Sequence, residues 1–191
     1  PIDLDTRDDV LVRSAYPLNH PASRWEDENA ELRSLRPASA VAALVGSVSV
    51  RDCIGVHVRM EAGRGLDHNS YDSSDNWSQN SHDQIQHWRD KSHYSAFVRR
   101  IDALIGERPE RRLFLATDLP ENYEVFRRRY GRRLCYLPRQ VYDRSREQIV
   151  YALADALLLS RCEMLLGSTW SSFSELAMRL SHRQDLFAVS P

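Results

Sequence analysis

The chain has 191 residues, a length that fits one domain or a tight pair of small ones. Its 26 Lys and Arg residues balance 27 Asp and Glu residues, so it lacks the cationic excess typical of nucleic-acid binders. The longest apolar run, 152–159, is interrupted by Asp155 and is much shorter than the roughly 20 residues of a membrane-spanning helix. The composition therefore predicts a globular domain with no nucleic-acid partner and no membrane span.

Short apolar runs alternate with amphipathic stretches along the chain. A candidate strand at 9–14 and a helix at 37–48 come first. The runs that follow predict strands at 52–58, 112–117, 134–137, 164–167 and 185–189, with helices at 92–105, 120–130, 144–160 and 175–181. Strands separated by helices of this length predict a parallel sheet with helices on both faces. The fold class is therefore α/β, a Rossmann-like doubly wound sheet, in a single domain over 1–191.

The segment 61–90 is a polar insertion that follows the strand 52–58 directly. It is rich in Asp, Asn, Ser, His and Gln and has no apolar period. Ligands bind outside the carboxyl ends of the strands in open α/β sheets, so this position favours a functional segment over a disordered one. Its carboxylates are candidates for a general base, although we favour a solvated loop: Glu61, Asp67, Asp72 and Asp75.

Two residues at the end of the strand 52–58 are candidates for anion binding. His57 and Arg59 are two positions apart, so both project to the same face of the strand, opposite the neighbouring valines. A guanidinium suits bidentate recognition of phosphate. The alternative is a structural ion pair for Arg59 and a hydrogen-bonded core position for His57.

The segment 166–175 joins a predicted strand to a helix and is dense in hydroxyl groups. Backbone N–H groups at a helix start bind anions, and the hydroxyls add donors: Ser168, Thr169, Ser171, Ser172 and Ser174. A capping box of Ser171 or Ser172 with Glu175 needs only one hydroxyl, so phosphate binding is favoured. Asp118, at the end of the strand 112–117, can accept hydrogen bonds from a nucleoside, but taken alone it is better explained as a helix cap.

Other sites are less well supported. His82, His87 and His93 have spacings that fit no zinc signature, and no nucleophile elbow, dinucleotide fingerprint or Walker loop is present in the sequence. The three separated cysteines, Cys53, Cys135 and Cys162, are expected to be buried free thiols. No metal or other cofactor is expected.

The ordered motifs resemble those of the GDP-fucose-dependent fucosyltransferases of the α1,6- and protein O-fucosylating type. Residues 53–59 look like the first motif of that superfamily, 113–118 like the second and 153–174 like the third. The resemblance implies the carboxyl-terminal, donor-binding half of a two-domain GT-B glycosyltransferase. The transfer it implies is inverting and metal-independent, with GDP-fucose or a related nucleotide-sugar as donor.

The resemblance also implies residue roles. Arg59 would hold the β-phosphate and support catalysis, and His57 and Asp118 would contact the guanosine part. The residues expected to line the pyrophosphate or lie close to it are Ser168, Thr169, Ser171, Ser172 and Phe173.

The chain departs from the family pattern after Arg59, where Met60 and Glu61 replace further basic residues. Because 191 residues cannot hold both GT-B halves, we expect the acceptor half to be absent, truncated away or supplied by another chain. The acceptor, a glycan or a protein, is not predicted. A non-catalytic nucleotide-sugar-binding module and a His/Asp-loop metal hydrolase are the alternative functions. A cytoplasmic location is expected if the chain is complete, and the secretory pathway stays open if it is a fragment.

Overall fold

The computed structural model describes Leu11, Pro21 and residues 23–60, 78–142, 145–182 and 187–189. The chain divides into two units, 1–36 and 37–191, so the prediction of one domain stays a prediction. The first unit contains helix α1 (Trp25–Ser34), which the sequence pattern did not predict. It has three acidic residues in its first turn and Arg33 in its last, an arrangement that suits the helix dipole. Apart from Leu11, the candidate strand at 9–14 lies outside the described residues.

The second unit is built on a parallel sheet. Its strands are β1 (Cys53–Val58), β2 (Arg112–Thr117), β3 (Leu134–Cys135), β4 (Met164–Gly167) and β5 (Phe187–Val189). The order across the sheet is β3-β2-β1-β4-β5, and every neighbouring pair is parallel. This is the strand order of the Rossmann fold, so the predicted fold class is confirmed.

Six α-helices of the second unit are described, together with a short 3-10 helix at Gly131–Arg133. The α-helices are α2 (Ser39–Gly46), α3 (Gln79–Lys91), α4 (Tyr94–Glu107), α5 (Pro120–Tyr130), α6 (Arg146–Leu159) and α7 (Ser172–Leu180). No helix within the described residues has the length and apolar character needed to cross a membrane.

Helix α3 lies within the polar insertion and was not predicted. The Ser78 hydroxyl caps it by accepting a hydrogen bond from the Ser81 backbone N–H. Side-chain hydrogen bonds one turn apart, Gln79 to Asp83 at 2.9 Å and Gln86 to Asp90 at 2.8 Å, add further support. These polar contacts stabilise the helix without the apolar stripe that sequence patterns detect.

The two faces of the sheet bury separate cores. On one face Ile54, Val56 and Val58 of β1 pack with buried side chains of α4 and α5. On the other, Cys53 packs with α2, α6 and α7. The sheet is therefore covered by helices on both sides, as predicted. At Gly55 a Cβ atom would lie 3.1 Å from the Cys162 side chain, so glycine permits this close approach to β1.

The three cysteines are free thiols, as expected. Cys53 and Cys162 are buried, whereas Cys135 is only partly buried. The Cys135 thiol donates to the Leu113 carbonyl at 3.0 Å and lies 3.8 Å from the Cys53 sulfur.

Candidate functional site

The three predicted motifs meet at one edge of the sheet. β1 is central, the chain passes from it to β2 on one side, and β4 lies on the other side. The carboxyl ends of β1 and β4 thus form the topological switch point, where open α/β sheets bind their ligands. The end of β1 brings His57 and Arg59 to this edge, β2 brings Asp118, and β4 leads into α7.

Arg59 and Asp118 form an ion pair one residue beyond the ends of β1 and β2. The distance from Arg59 Nη1 to Asp118 Oδ2 is 3.3 Å, and the side chains are 24% and 12% exposed. The other oxygen of Asp118 accepts a hydrogen bond from the Met60 backbone N–H at 3.2 Å. The ion pair that the sequence left open as an alternative role for Arg59 is therefore present in the structure.

Asp118 does not act as a helix cap, so that expectation is wrong. The N-cap residue of α5 is Leu119, which makes no side-chain cap within the described structure. The Thr117 hydroxyl instead accepts hydrogen bonds from the Leu119 N–H at 3.3 Å and the Asn122 side chain at 2.9 Å. The Asp118 carboxylate instead contacts Arg59 and Met60, which follow the neighbouring strand β1.

Ser168 joins the ends of β1 and β4. Its buried hydroxyl donates to the His57 carbonyl at 2.9 Å and accepts from the Arg59 backbone N–H at 2.8 Å. Both backbone groups lie past the last β1–β4 register pairs, so the hydroxyl extends the pairing of the two strands. Ser168 thereby fixes the backbone from which the Arg59 side chain projects.

His57 is buried against the first turn of α7. Its Nδ1 atom lies 2.7 Å from the Ser174 hydroxyl, and its ring centroid lies 4.5 Å from that of Phe173. Burial, together with the charges of Arg59 and Arg89, lowers the pKa of His57 to about 3. The imidazole is therefore neutral near pH 7 and contributes hydrogen bonds, whereas the positive charge comes from the guanidinium groups.

The first two residues of α7 are not buried. Ser171 is the N-cap residue, but within the described structure its side chain makes no capping hydrogen bond, so the capping-box interpretation is wrong. Ser172 is exposed, while Thr169 and Ser171 are partly buried. The first backbone N–H groups of a helix carry partial positive charge and bind anions. Arg59 and this helix start flank the same switch point.

Sequence reasoning missed the contribution of α3 to this edge of the sheet. The Trp88 ring lies 6.0 Å from that of Trp170, which directly precedes Ser171 in the β4–α7 joint. The neighbouring Arg89 is close enough to His57 for its charge to lower the pKa of that imidazole. The only signal in the sequence was the position of the polar insertion directly after β1.

Asp155, in the motif 153–174, forms a buried ion pair with Arg139. Arg139 Nη2 is 2.6 Å from Asp155 Oδ2, and both side chains are 4% exposed. The Arg139 guanidinium also lies 4.9 Å from the centre of the Tyr151 ring. Burial raises the pKa of Asp155 to about 7, although the contact with Arg139 opposes that rise. This pair was not predicted, because Asp155 and Arg139 are 16 residues apart and belong to different elements.

Two of the three histidines considered for metal binding, His87 and His93, have other contacts. His93 caps α4 by accepting a hydrogen bond from the Ser95 N–H at 3.3 Å, and His87 packs edge-on against Trp88. No group of three or more potential metal ligands occurs within the described part of the chain. The general-base candidates of the polar insertion lie outside the described residues: Glu61, Asp67, Asp72 and Asp75.

Comparisons with known proteins give a fold but no family. Neither the models of protein families nor the curated proteins contain a match to the chain. Among solved structures, the chain is similar to a crystal structure of NodZ alpha-1,6-fucosyltransferase soaked with GDP-fucose, with a TM-score of 0.53 and 22% sequence identity. The match covers 83% of this chain and 48% of the NodZ chain, so the chain spans about half the length of that neighbour. The chain therefore has a fucosyltransferase-like α/β fold.

Proposed function

We propose that the unit 37–191 binds a nucleotide-sugar and serves as the donor-binding half of a glycosyltransferase. The observation that carries this proposal is that Arg59, which follows β1, and the start of α7, which follows β4, lie at neighbouring strand ends at the switch point of the sheet. A diphosphate bound there would meet the positive charge of Arg59 and the backbone N–H groups at the start of a helix. The fold of NodZ, which was soaked with GDP-fucose, supports the same class of ligand.

The proposed reaction is inverting transfer of the sugar. An acceptor hydroxyl attacks the anomeric carbon and loses its proton to solvent, and the bond from that carbon to the β-phosphate oxygen breaks. The electron pair of this bond stays with the departing diphosphate, whose negative charge increases in the transition state. Arg59 and the start of α7 would stabilise that charge without a divalent metal. Arg59 is therefore the proposed catalytic residue.

The proposed donor is GDP-fucose, on the strength of the ordered motifs and the NodZ likeness. His57 and Asp118 are proposed to contact the guanosine part. The residues proposed to lie along the pyrophosphate are Ser168, Thr169, Ser171, Ser172 and Phe173. Since the Ser168 hydroxyl already bonds the backbone of β1 on both sides, its part in this site is to position Arg59.

Binding is tested with a panel of nucleotides. GDP should raise the melting temperature more than UDP, CDP or ADP at equal concentration, with EDTA present, because a ligand that binds only the folded state stabilises it. Equal or absent shifts for all four nucleotides would contradict the proposal. Dependence of the GDP shift on a divalent cation would contradict its metal-independent form and favour a metal-dependent enzyme.

The role of Arg59 is tested by Arg59→Ala. Loss of a charged hydrogen bond to phosphate should weaken GDP binding by about 10- to 150-fold, as measured by calorimetry. Arg108→Ala is a matched control, because Arg108 pairs with Glu163 at 3.1 Å near the amino ends of β2 and β4, at the opposite edge of the sheet. If both variants bind GDP like the wild type, Arg59 is a structural residue only.

Catalysis and simple binding are separated by a second assay. A transferase half that retains its chemistry should release GDP slowly from GDP-fucose, with water as acceptor, and Arg59→Ala should abolish that release. A non-catalytic binding module would bind the donor without releasing GDP.

A further inference from the structure

Trp170 has an unusual combination of backbone conformation and exposure. Its φ angle is +56°, in the left-handed region that is unfavourable for a bulky L-residue. The side chain is 54% exposed, so burial of the indole offsets little of this cost. Strained backbone that the surrounding structure maintains is concentrated at ligand sites.

The indole is held by a second tryptophan. The ring centroids of Trp88 and Trp170 are 6.0 Å apart, and the ring planes are inclined at 36°. This is a favourable distance for an aromatic pair. Trp88 belongs to α3, so the polar insertion supports the ring at one side and leaves more than half of the Trp170 side chain exposed.

The order of the strands indicates which part of a ligand this ring would meet. Asp118, Arg59 and the start of α7 follow the neighbouring strands β2, β1 and β4 in that spatial order. A nucleotide-sugar is linear, with nucleoside, diphosphate and sugar in sequence. If the nucleoside lies at Asp118 and the diphosphate between Arg59 and α7, the sugar lies on the β4 side, where Trp170 precedes α7.

We propose that the Trp170 indole is the surface on which the pyranose ring of the donor stacks. One face of a pyranose carries mainly C–H bonds and is apolar, whereas its hydroxyls point outward and stay hydrated. A flat exposed indole matches that face. A 6-deoxy sugar presents a methyl group in place of a hydroxymethyl group and so a larger apolar area. This inference rests on the proposed function, with Trp88 as a positioning residue that orients the ring.

The test compares GDP with GDP-fucose by calorimetry on the full chain. Trp170→Gly removes the ring and is compatible with a φ of +56°. It should raise the Kd of GDP-fucose roughly tenfold and change the Kd of GDP less than twofold. A tenfold change corresponds to about 1.4 kcal/mol, the effect of burying roughly 55 Å² of apolar surface. Trp170→Phe should retain most of the affinity for GDP-fucose.

Trp25→Ala is the control variant. Trp25→Ala removes a tryptophan that is 41% exposed in the first unit and should alter neither Kd. If Trp170→Gly weakens the binding of both ligands equally, the residue only shapes the joint between β4 and α7, and the proposal is overturned. The absence of any weakening would also overturn it. If the wild type binds neither GDP nor GDP-fucose, the proposed function is wrong as well. If the wild type binds GDP and Trp170→Gly leaves the ratio of the two Kd values unchanged, only the stacking of the sugar on Trp170 is rejected.

A spectroscopic measurement covers the case in which Trp170→Gly does not fold. GDP-fucose should change the tryptophan emission of the wild type beyond the change caused by GDP, and Trp170→Phe should remove that difference. Identical emission changes for the two ligands in the wild type would overturn the proposal.

Discussion

Asp118→Asn should have opposite effects on the binding of the phosphate part and of the nucleoside part of the ligand. In the free protein the Asp118 carboxylate is the counter-ion of Arg59, at 3.3 Å. A bound phosphate would share that guanidinium with the carboxylate, so two negative groups would lie near each other. Asparagine retains the shape of the side chain and an oxygen that can accept from the Met60 N–H. The variant therefore removes the repulsion and little else on the phosphate side.

The size of this effect follows from the ion-pair geometry. A phosphate on the far side of the guanidinium would lie roughly 6–7 Å from the carboxylate. The side chains are 24% and 12% exposed, so an effective dielectric constant of about 40, between the values for a protein surface and for water, is appropriate. The repulsion is then about 1.3 kcal/mol per unit charge, which corresponds to roughly tenfold in affinity. Inorganic pyrophosphate should bind Asp118→Asn about tenfold more tightly than the wild type.

The same substitution should weaken the binding of GDP, although it strengthens the binding of pyrophosphate. If the Asp118 carboxylate accepts a hydrogen bond from the guanosine part, its loss costs about 1.5–3 kcal/mol. The preference for GDP over pyrophosphate should then fall about 10- to 150-fold, because the relief of repulsion acts on the phosphates of both ligands and cancels in the ratio. Calorimetric titrations with both ligands at equal ionic strength measure this ratio.

Two outcomes of these titrations would contradict the proposed position of the ligand. Equal strengthening of GDP and pyrophosphate would show that Asp118 is only a counter-ion and does not contact the nucleoside. Unchanged pyrophosphate binding would show that the phosphate does not share Arg59. Glu163→Gln, which neutralises the carboxylate paired with Arg108 and Arg111, should leave both affinities unchanged.

Two further predictions concern stability. The wild type should lose about 2 kcal/mol of unfolding free energy relative to His57→Gln when the pH falls from 7 to 5. The reason is that His57 gains a proton near pH 6.5 in the unfolded chain, whereas in the folded protein its pKa is about 3 and it stays neutral. Urea unfolding at both pH values measures this change, and a constant difference would contradict the low pKa. Arg139→Met should lower the unfolding free energy by about 3–5 kcal/mol, because it leaves the Asp155 carboxylate buried without its counter-ion. Adding Asp155→Leu should recover part of that loss in the same assay, and no recovery would show that the charge is not its cause.

The sheet and its core were predictable because parallel strands covered on both faces appear as continuous apolar runs. The predicted bounds of β2, β4 and α5 agree with the structure. In α5 a proline occupies the first turn and Gly131, with a φ of +53°, follows the last residue. β3 is shorter than predicted, because its pairing with β2 stops at Cys135.

The polar contacts were less predictable, because they depend on residues distant in sequence. Asp118 has the local signature of a helix cap, yet its partners Arg59 and Met60 lie about 60 residues earlier and reach it only through the pairing of β1 with β2. His57 and Ser174 are 117 residues apart. A local sequence rule cannot weigh such partners against a nearby cap, so the placement of the motifs was predictable whereas their hydrogen bonds were not.

The hydrogen bonds at the switch point distinguish the fixed part of the site from the part left to a ligand. Ser168 and Ser174 are buried and hold the backbone and imidazole of His57, so these hydroxyls set the geometry between β1 and α7 before any ligand arrives. Because the imidazole is neutral, the attraction for an anion comes from guanidinium groups and the start of α7. Groups fixed in advance need no reorganisation when charge develops on a departing phosphate. The Arg59–Asp118 ion pair is the part that must adjust, since its guanidinium already has a counter-ion in the free protein.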